Sequence, residues 1–370
     1  MPPWRPARLP DGRVPDFAAA VANLGRKAAA RLLSLHKPLV RASRRRARAG
    51  QQRAILDAAR AVERDIARTV GGRGPIVVGP WLGEVGYEAL YWLPFLRWVQ
   101  DRYRLAPDRL TIVSRGGVEQ WYGGMAARYV DLFDLLTPEE LAARNEARQA
   151  REEGGGRKQS RRGALDEWLL ARVGADGAVL HPSLLFRLFR DVWQGNLPLD
   201  FLFTRTDFTR VAKPARLSVP GLPAEYVAVK FYSGTATPDA PETREALRTL
   251  VRGVAARTSV VVLDTGLPVD DHRDFVFDDI PGVQSARRWM TARTNLGLQS
   301  ALVAHARYFL GTCGGLAWLA PLMDVPTVAV YADDALLRPH LTIARQAGLQ
   351  IGAAEFAALD LRALKRIDGG

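Results

Sequence analysis

Two glutamates four residues apart stand where a glycine-rich turn meets an apolar helix: residues 80–98 read PWLGEVGYEALYWLPFLRW, with Glu84 and Glu88 among Trp, Tyr, Leu and Phe. A charge buried in such company is costly. The carboxylates therefore either cap the start of a helix or stand at the mouth of an active site. In the second case, apolar neighbours raise a carboxyl pKa toward the range of a general base. Glu84 falls in the glycine loop and Glu88 in the first helical turn, so both are expected to face the carboxyl end of the preceding strand. Capping suits Glu88 better than Glu84.

A second constellation is RYFLGTCGGLAWLAPLMDVPTVAVYAD, residues 307–333. An apolar strand runs into Gly311, Thr312, Cys313, Gly314 and Gly315, which open a helix that returns through Pro326 to another strand. Glycines let the backbone approach a ligand, and the N–H groups of a new helix favour an anion such as phosphate. Thr312 would add a hydroxyl and Cys313 a small polarizable side chain. The alternative is a tight turn that needs glycine for positive φ. No Gly-Lys-Ser/Thr follows, and the spacing is not GxGxxG.

The elements that must position these loops alternate. From residue 75, GPIVVGP, RLTIVSRGG and DLFDLL read as strands, YEALYWLPFLRWVQDRY as a helix and EQWYGGMAARYVDLF as a helix or turn-helix. Residues 138–165 form a charged, glycine-interrupted insertion, expected to be a flexible excursion or lid. Helical patterning returns in EWLLARV and SLLFRLFRDVWQG, and VAKPARLSVPGLPAE reads as a linker. A second series then begins at EYVAVKFYSG, with helices in ETREALRTLVRGVAART, TNLGLQSALVAHA and LAWLAPLMD. Its further strands are SVVVLDTG, RYFLGT and PTVAVYAD. The fold class is α/β: two Rossmann-like domains facing a cleft, preceded by a basic helical extension. The expected boundaries are 1–70 for the extension, 71–215 and 216–345 for the two domains, and 346–370 for a tail or helix.

Composition limits the alternatives. The 370 residues are 48% hydrophobic, enough for two cores. The single cysteine, Cys313, excludes a disulfide framework and a Cys-based zinc cluster. No run of about 18 apolar residues occurs, and the first residues lack a signal-peptide pattern. A cytoplasmic protein is therefore expected. The net charge is +13 with only six lysines, an arginine bias of the kind a high-GC genome produces. Residues 1–70 hold sixteen basic and five acidic side chains, with five arginines in RASRRRARAG. A basic amphipathic helix beside such a cluster would attract an anionic membrane surface or, less readily, a nucleic-acid backbone. The alternative is a solvated, partly disordered tail.

Strand, Gly-Thr-x-Gly-Gly, apolar helix, then Val-Pro-x-Val-x-Val-Tyr resembles the donor-binding segment of GT-B glycosyltransferases, in particular the heptosyltransferase-like group. In the first half, Gly86-Tyr87-Glu88 followed by Pro94 is similar to that group's opening Gly-Asp and proline. The likeness covers about residues 75–345. Trp318 and Cys313 depart from the group's pattern, and residues 1–70 and 138–165 fall outside it. It implies a metal-independent transferase moving a sugar from a nucleotide-sugar to a glycan or lipid-linked acceptor, with no cofactor. The charge of the basic arm alone would suit cell-surface polysaccharide biosynthesis beside anionic lipid. The resemblance places the group's catalytic acid nearest Glu88. Glu84 is freer to reach substrate, so Glu84 is expected to be the base and Glu88 to orient it.

The remaining candidates follow from residue type and place. Lys230, ending YVAVK with Tyr232 and Ser233 after it, would neutralise a diphosphate leaving group, or else form a surface ion pair. Asn295 and Gln299, four residues apart, would hydrogen-bond the donor or simply pack between helix and sheet. Arg115 would meet an acceptor phosphate or acidic sugar, and Trp121 and Tyr122 would stack on a sugar ring. Tyr87, Tyr91, Trp92, Phe95 and Trp98 read as core, His305 as structural, and His340 as bordering the donor base. Asp270, Asp271 and His272, with Asp278 and Asp279, are metal-capable in type but read as a solvated loop, so no metal site is expected. Two rivals remain: a sugar-nucleotide epimerase or hydrolase of the same fold, and a non-catalytic membrane- or nucleic-acid-binding protein acting through the arginine-rich arm.

Overall fold

The computed structural model describes residues 17–151, 159–267 and 272–364. These divide into two compact units between Ala58 and Ala59. Helix α1 (Phe17–Val70) is one element that runs unbroken through the arginine cluster. Arginine and alanine are good helix formers, so the cluster does not interrupt the helix. In the first unit, the side chains of residues 40–54 are exposed on every side. In the second unit, Ala59, Val62, Ile66 and Val70 recur every three or four residues and are buried. The end of α1 thus belongs to the second unit, and the extension is shorter than 1–70.

The second unit holds two parallel sheets. The first contains β1 (Ile76–Val78), β2 (Leu110–Ser114), β3 (Arg128–Asp131) and β4 (Ala178–Leu180) in the order β3-β2-β1-β4. Its helices are α2 (Val85–Tyr87), continued by a π turn (Glu88–Trp92) into α3 (Leu93–Tyr103), then α4 (Pro138–Arg151), α5 (Ala164–Val173), α6 (Ser183–Trp193) and α7 (Leu199–Phe203). The helix or turn-helix expected over EQWYGGMAARYVDLF is instead a short 3₁₀ turn (Glu119–Tyr122) and strand β3, and the strand expected over DLFDLL is a 3₁₀ turn (Leu132–Asp134). Gly123 and Gly124, both at positive φ, end the first of these turns.

The insertion 138–165 is not the loose excursion expected, although residues 152–158 lie outside the described set. Much of its first half is α4, and its return is anchored by Gln159, which is wholly buried. The Gln159 carboxamide accepts from the Leu82 N–H at 2.8 Å and donates to the Pro80 carbonyl at 2.9 Å and to Asp166 at 3.0 Å. His181 joins Asp166 from the end of β4, also at 3.0 Å. One buried amide therefore satisfies backbone groups of the loop after β1 that no strand reaches.

The second sheet contains β5 (Val227–Lys230), β6 (Val260–Val262), β7 (Val283–Ser285), β8 (Phe309–Thr312), β9 (Thr327–Tyr331) and β10 (Phe356–Asp360), in the order β10-β9-β8-β5-β6-β7. It is flanked by α8 (Pro241–Ala255), α9 (Asn295–Ala304), α10 (Leu316–Leu322), α11 (Arg338–Ile351) and α12 (Leu361–Leu364). Val227, Val229, Val260, Val262 and Leu310 share one core with Leu247 and Val251 of α8. The apolar runs of β1 and β6 are buried along their whole length, as parallel strands covered on both faces must be. The expected tail at 346–370 includes edge strand β10, paired with β9 over five residues.

The linker is stitched to both halves. The Asp207 N–H bonds to the Pro94 carbonyl at 2.8 Å, and the Val211 N–H to the Leu322 carbonyl at 2.9 Å. Replacing Gln159 by Ala should strand the Leu82 N–H and Pro80 C=O in the interior and cost about 2 kcal/mol or more. The urea midpoint should fall without change in slope; an unchanged midpoint would mean that the insertion does not hold the loop.

Candidate functional site

Glu84 is the residue preceding α2, with φ −65° and ψ 144°. It is extended, so helical periodicity does not carry from it to Glu88. This separates the two carboxylates. Glu84 lines a cavity of about 760 Å³ that lies between the carboxyl ends of the two sheets. Glu88, in the π turn, is wholly buried in the first half and does not face the cavity, contrary to the expectation that it orients Glu84 there. Its Oε1 accepts from Ser114 at 2.6 Å and from Tyr122 at 2.5 Å. Burial pushes its carboxyl up to about 7, against the opposing pull of those two hydroxyls and of Arg115, with the Asp131 charge adding to the rise.

The acceptor candidates are structural. Tyr122 is buried on Glu88, and Trp121 is buried with its indole N–H donating to Ser300 Oγ at 2.9 Å. Neither offers a face to a sugar. Arg115 is 4% exposed and donates to the Gly83 carbonyl at 3.2 Å. It supports the loop that carries Glu84 rather than meeting substrate. Asn295 and Gln299 are also buried, bonded to the Ala292 carbonyl and to each other. The Gly297 N–H, between them on α9, bonds to the Gly116 carbonyl at 2.8 Å. Residues 295–300 therefore form a seam between the two halves, where helix polarity is used for packing.

Of the donor candidates, Tyr232, Thr312, Cys313, Gly314 and Gly315 line the same cavity as Glu84, and Lys230 and Ser233 do not. The Lys230 ammonium is held by Asp274 at 2.8 Å and the Leu263 carbonyl at 2.8 Å, an internal ion pair at the end of β5. Ser233 is occupied by the backbone of Arg273. The Thr312 hydroxyl accepts from the Tyr232 N–H and donates to the Tyr232 carbonyl, joining β8 to β5. Burial pushes the Cys313 thiol up to about 12. Gly314 and Gly315 have φ of +125° and +46°, and a Cβ on Gly314 would lie 2.6 Å from the Tyr232 hydroxyl. What this loop offers is backbone approach. Helix α10, at seven residues, contributes only a short dipole.

Sequence reading missed several lining residues. Thr237, in the turn after β5, is wholly buried on the cavity wall, and its hydroxyl has no hydrogen-bond partner among the described residues. The signal was the run Ser-Gly-Thr-Ala-Thr at a strand's carboxyl end. Asp333 and His272 line the same side, and Ser160, just after the buried Gln159, lines it from the insertion. Asp270 and Asp271 lie outside the described residues; Asp279 pairs with Arg248. Among the described residues no group of three or more His, Cys, Asp or Glu is placed to hold a metal ion.

Aromatic rings form the wall nearest Glu84. Tyr87 packs on Phe186 with centroids 5.8 Å apart and edge-on to Trp193 at 5.5 Å. His340 of α11 is held between two hydroxyls, its Nε2 by Tyr87 at 3.0 Å and its Nδ1 by Tyr91. Burial first, and then the nearby charge of Glu84, raise the Tyr87 hydroxyl well above its ordinary range. Tyr87 and Tyr91, read as core from the sequence, thus reach the cavity.

No family model matches the chain, and no curated protein matches it. Among solved structures, the chain is similar to a family 9 glycosyl transferase from Veillonella parvula at 12% identity and TM-score 0.41, covering 80% of this chain and 88% of that one. It is similar to heptosyltransferase WaaC from E. coli, solved with ADP, at 15% identity and TM-score 0.38, covering 80% and 98%. It is also similar to the iron-containing dodecameric glycosyltransferase TibC from enterotoxigenic E. coli, at 14% identity and TM-score 0.39 over 70% of this chain. The match spans 58% of the TibC chain. UDP-N-acetylglucosamine 2-epimerases match with TM-scores of 0.27 to 0.34.

A native-state carboxyl at about 7 binds its proton more tightly than in the unfolded chain. Glu88 therefore contributes full stability below its unfolded pKa of about 4.5, and that contribution drains away as pH rises to about 7, by about 3 kcal/mol. Glu88→Gln, neutral throughout, should gain stability relative to the parent between about pH 5 and about pH 8, read from urea midpoints at both. Parallel pH profiles would place the Glu88 carboxyl in a different environment.

Proposed function

We propose that the chain is a GT-B-like glycosyltransferase that moves a sugar from a nucleotide-activated donor to a glycan or lipid-linked acceptor. The observation that carries this reading is that Glu84 and the Gly314–Gly315 backbone, on loops from different sheets, line one cavity. In this reading the diphosphate of the donor lies against the glycine loop and the Thr237 hydroxyl, whose buried oxygen has no other bond among the described residues. The acceptor enters along the Tyr87, Phe186 and Trp193 wall, where ring faces suit the apolar faces of a sugar. Glu84 takes the proton of the acceptor hydroxyl as its oxygen bonds to the anomeric carbon. The carbon–oxygen bond to the diphosphate breaks, and the nucleoside diphosphate leaves with that electron pair.

An epimerase or hydrolase is favoured by one specific feature: Asp333 faces the cavity from the second half while Glu84 faces it from the first, giving carboxylates on both sides. Against it, Asp333 already accepts the Ala335 N–H at 2.9 Å as a turn residue. The two readings separate when nucleotide-sugars are supplied without acceptor, since only an epimerase or hydrolase then turns over.

Screening nucleoside diphosphates and their sugars by thermal shift identifies the donor, because a ligand of the native state stabilises by mass action. With that donor, Glu84→Gln should lower kcat by about 10² to 10⁴ and leave the nucleotide dissociation constant nearly unchanged; parental turnover would remove Glu84 from the chemistry. Thr237→Val should weaken nucleotide binding by about tenfold, measured by calorimetry. Unchanged affinity would move the donor away from this wall.

A further inference from the structure

We infer that the first unit is a docking element for an anionic lipid bilayer. The observations come from α1 alone and are independent of the transferase reading. Between residues 17 and 56 the chain carries ten Lys and Arg and no Asp or Glu. Arg41, Arg44, Arg45 and Arg48 recur at helical spacing, and with Arg46 they put five guanidinium groups within eight residues of continuous helix, all exposed. A helix segment polar on every side gains nothing from a core of its own, so a partner of opposite charge is the interaction its surface is built for.

The chemistry of that partner follows from the stretch before the cluster. Phe17, Val21, Leu24, Ala28, Leu32, Leu35 and Leu39 follow one another by three or four residues, the spacing that gathers apolar residues on one side of an α-helix. By the same count Arg26, Lys37, Arg41, Arg44 and Arg48 fall on the other side, Lys27 and Arg45 at the border, and Arg31 within the apolar row. A phosphodiester backbone would account for the arginines and leave the apolar row without a role. A bilayer surface accounts for both, the row entering the headgroup boundary and the guanidinium groups meeting lipid phosphates. No helix among the described residues is long and apolar enough to cross a membrane, so the helix would lie along the surface.

The test uses the full chain and vesicles of phosphatidylcholine with or without about one third phosphatidylglycerol. Co-sedimentation should require the anionic lipid and should weaken at least about tenfold between about 0.1 M and about 0.5 M NaCl. Replacing Arg41, Arg44, Arg45, Arg46 and Arg48 together by Gln should lower vesicle binding at least about tenfold, and replacing all five by Lys should retain it. Leu32→Asp with Leu35→Asp should also lower it. The thermal transition of each variant reports on the second unit, which should be unaffected. Equal binding by the Gln variant, or loss in the Lys variant, overturns the proposal. So does a chain that ignores both vesicles but holds a short DNA or RNA duplex through the same arginines.

Discussion

The arrangement depends on a backbone contact between two loops that lie far apart in sequence. A Cβ placed on Gly86 would stand 2.7 Å from the Gly315 amide nitrogen and 3.0 Å from Trp318 Cδ1. Only hydrogen fits there. The contact sets the separation between the loop carrying Glu84 and the glycine loop after β8, and so the width of the cavity floor. Other seams agree with it: the Gly297 amide on the Gly116 carbonyl and the Trp121 indole on Ser300 join the same two halves. Backbone-to-backbone contacts are stiff because there is no side chain to rearrange, so a cavity built on them keeps its geometry.

Behind that floor the first half holds its polar groups by burial and mutual bonding. Glu88, Ser114 and Tyr122 form one bonded group, and Asp131 accepts from the Gly117 and Phe133 amides and the Tyr129 hydroxyl. Burial raises Asp131 as well, against those bonds. Burial, with the Asp131 charge adding a smaller push, favours the protonated form of Glu88. Arg115 lies against this group and reaches the Gly83 carbonyl. The same interior charge balance that makes Glu88 unsuitable as a solvent-facing base thus fixes the loop from which Glu84 extends.

Much of the fold was legible because parallel strands covered on both faces must be short, nearly uninterrupted apolar runs. VVV at 260–262 and FLGT at 309–312 stand out for that reason. Strands β4, β7 and β10 were missed because each lies at a sheet edge or is only half covered, where alanine, glutamine and serine are tolerated. The site was legible as loops and less so as side chains. Glycines and threonines after strands announce a place of backbone approach. Which neighbouring polar residue turns outward depends on tertiary contacts: Lys230 found Asp274, Trp121 found Ser300, and Glu88 turned inward because the π turn begins at it while Glu84 stays extended. No residue pattern within ten positions of Lys230 names Asp274 as its partner.

The same distinction explains why His340 matters to the cavity. Both of its ring nitrogens meet a tyrosine hydroxyl, Nε2 that of Tyr87 and Nδ1 that of Tyr91. Both hydroxyls resist ionisation because they are buried, and the histidine links them. It ties α11 of the second half to the helical turn that follows Glu84. The wall nearest the acid is therefore held by a polar clamp inside an aromatic cluster, and a change in either tyrosine reaches the cavity through the histidine as well as through its own ring.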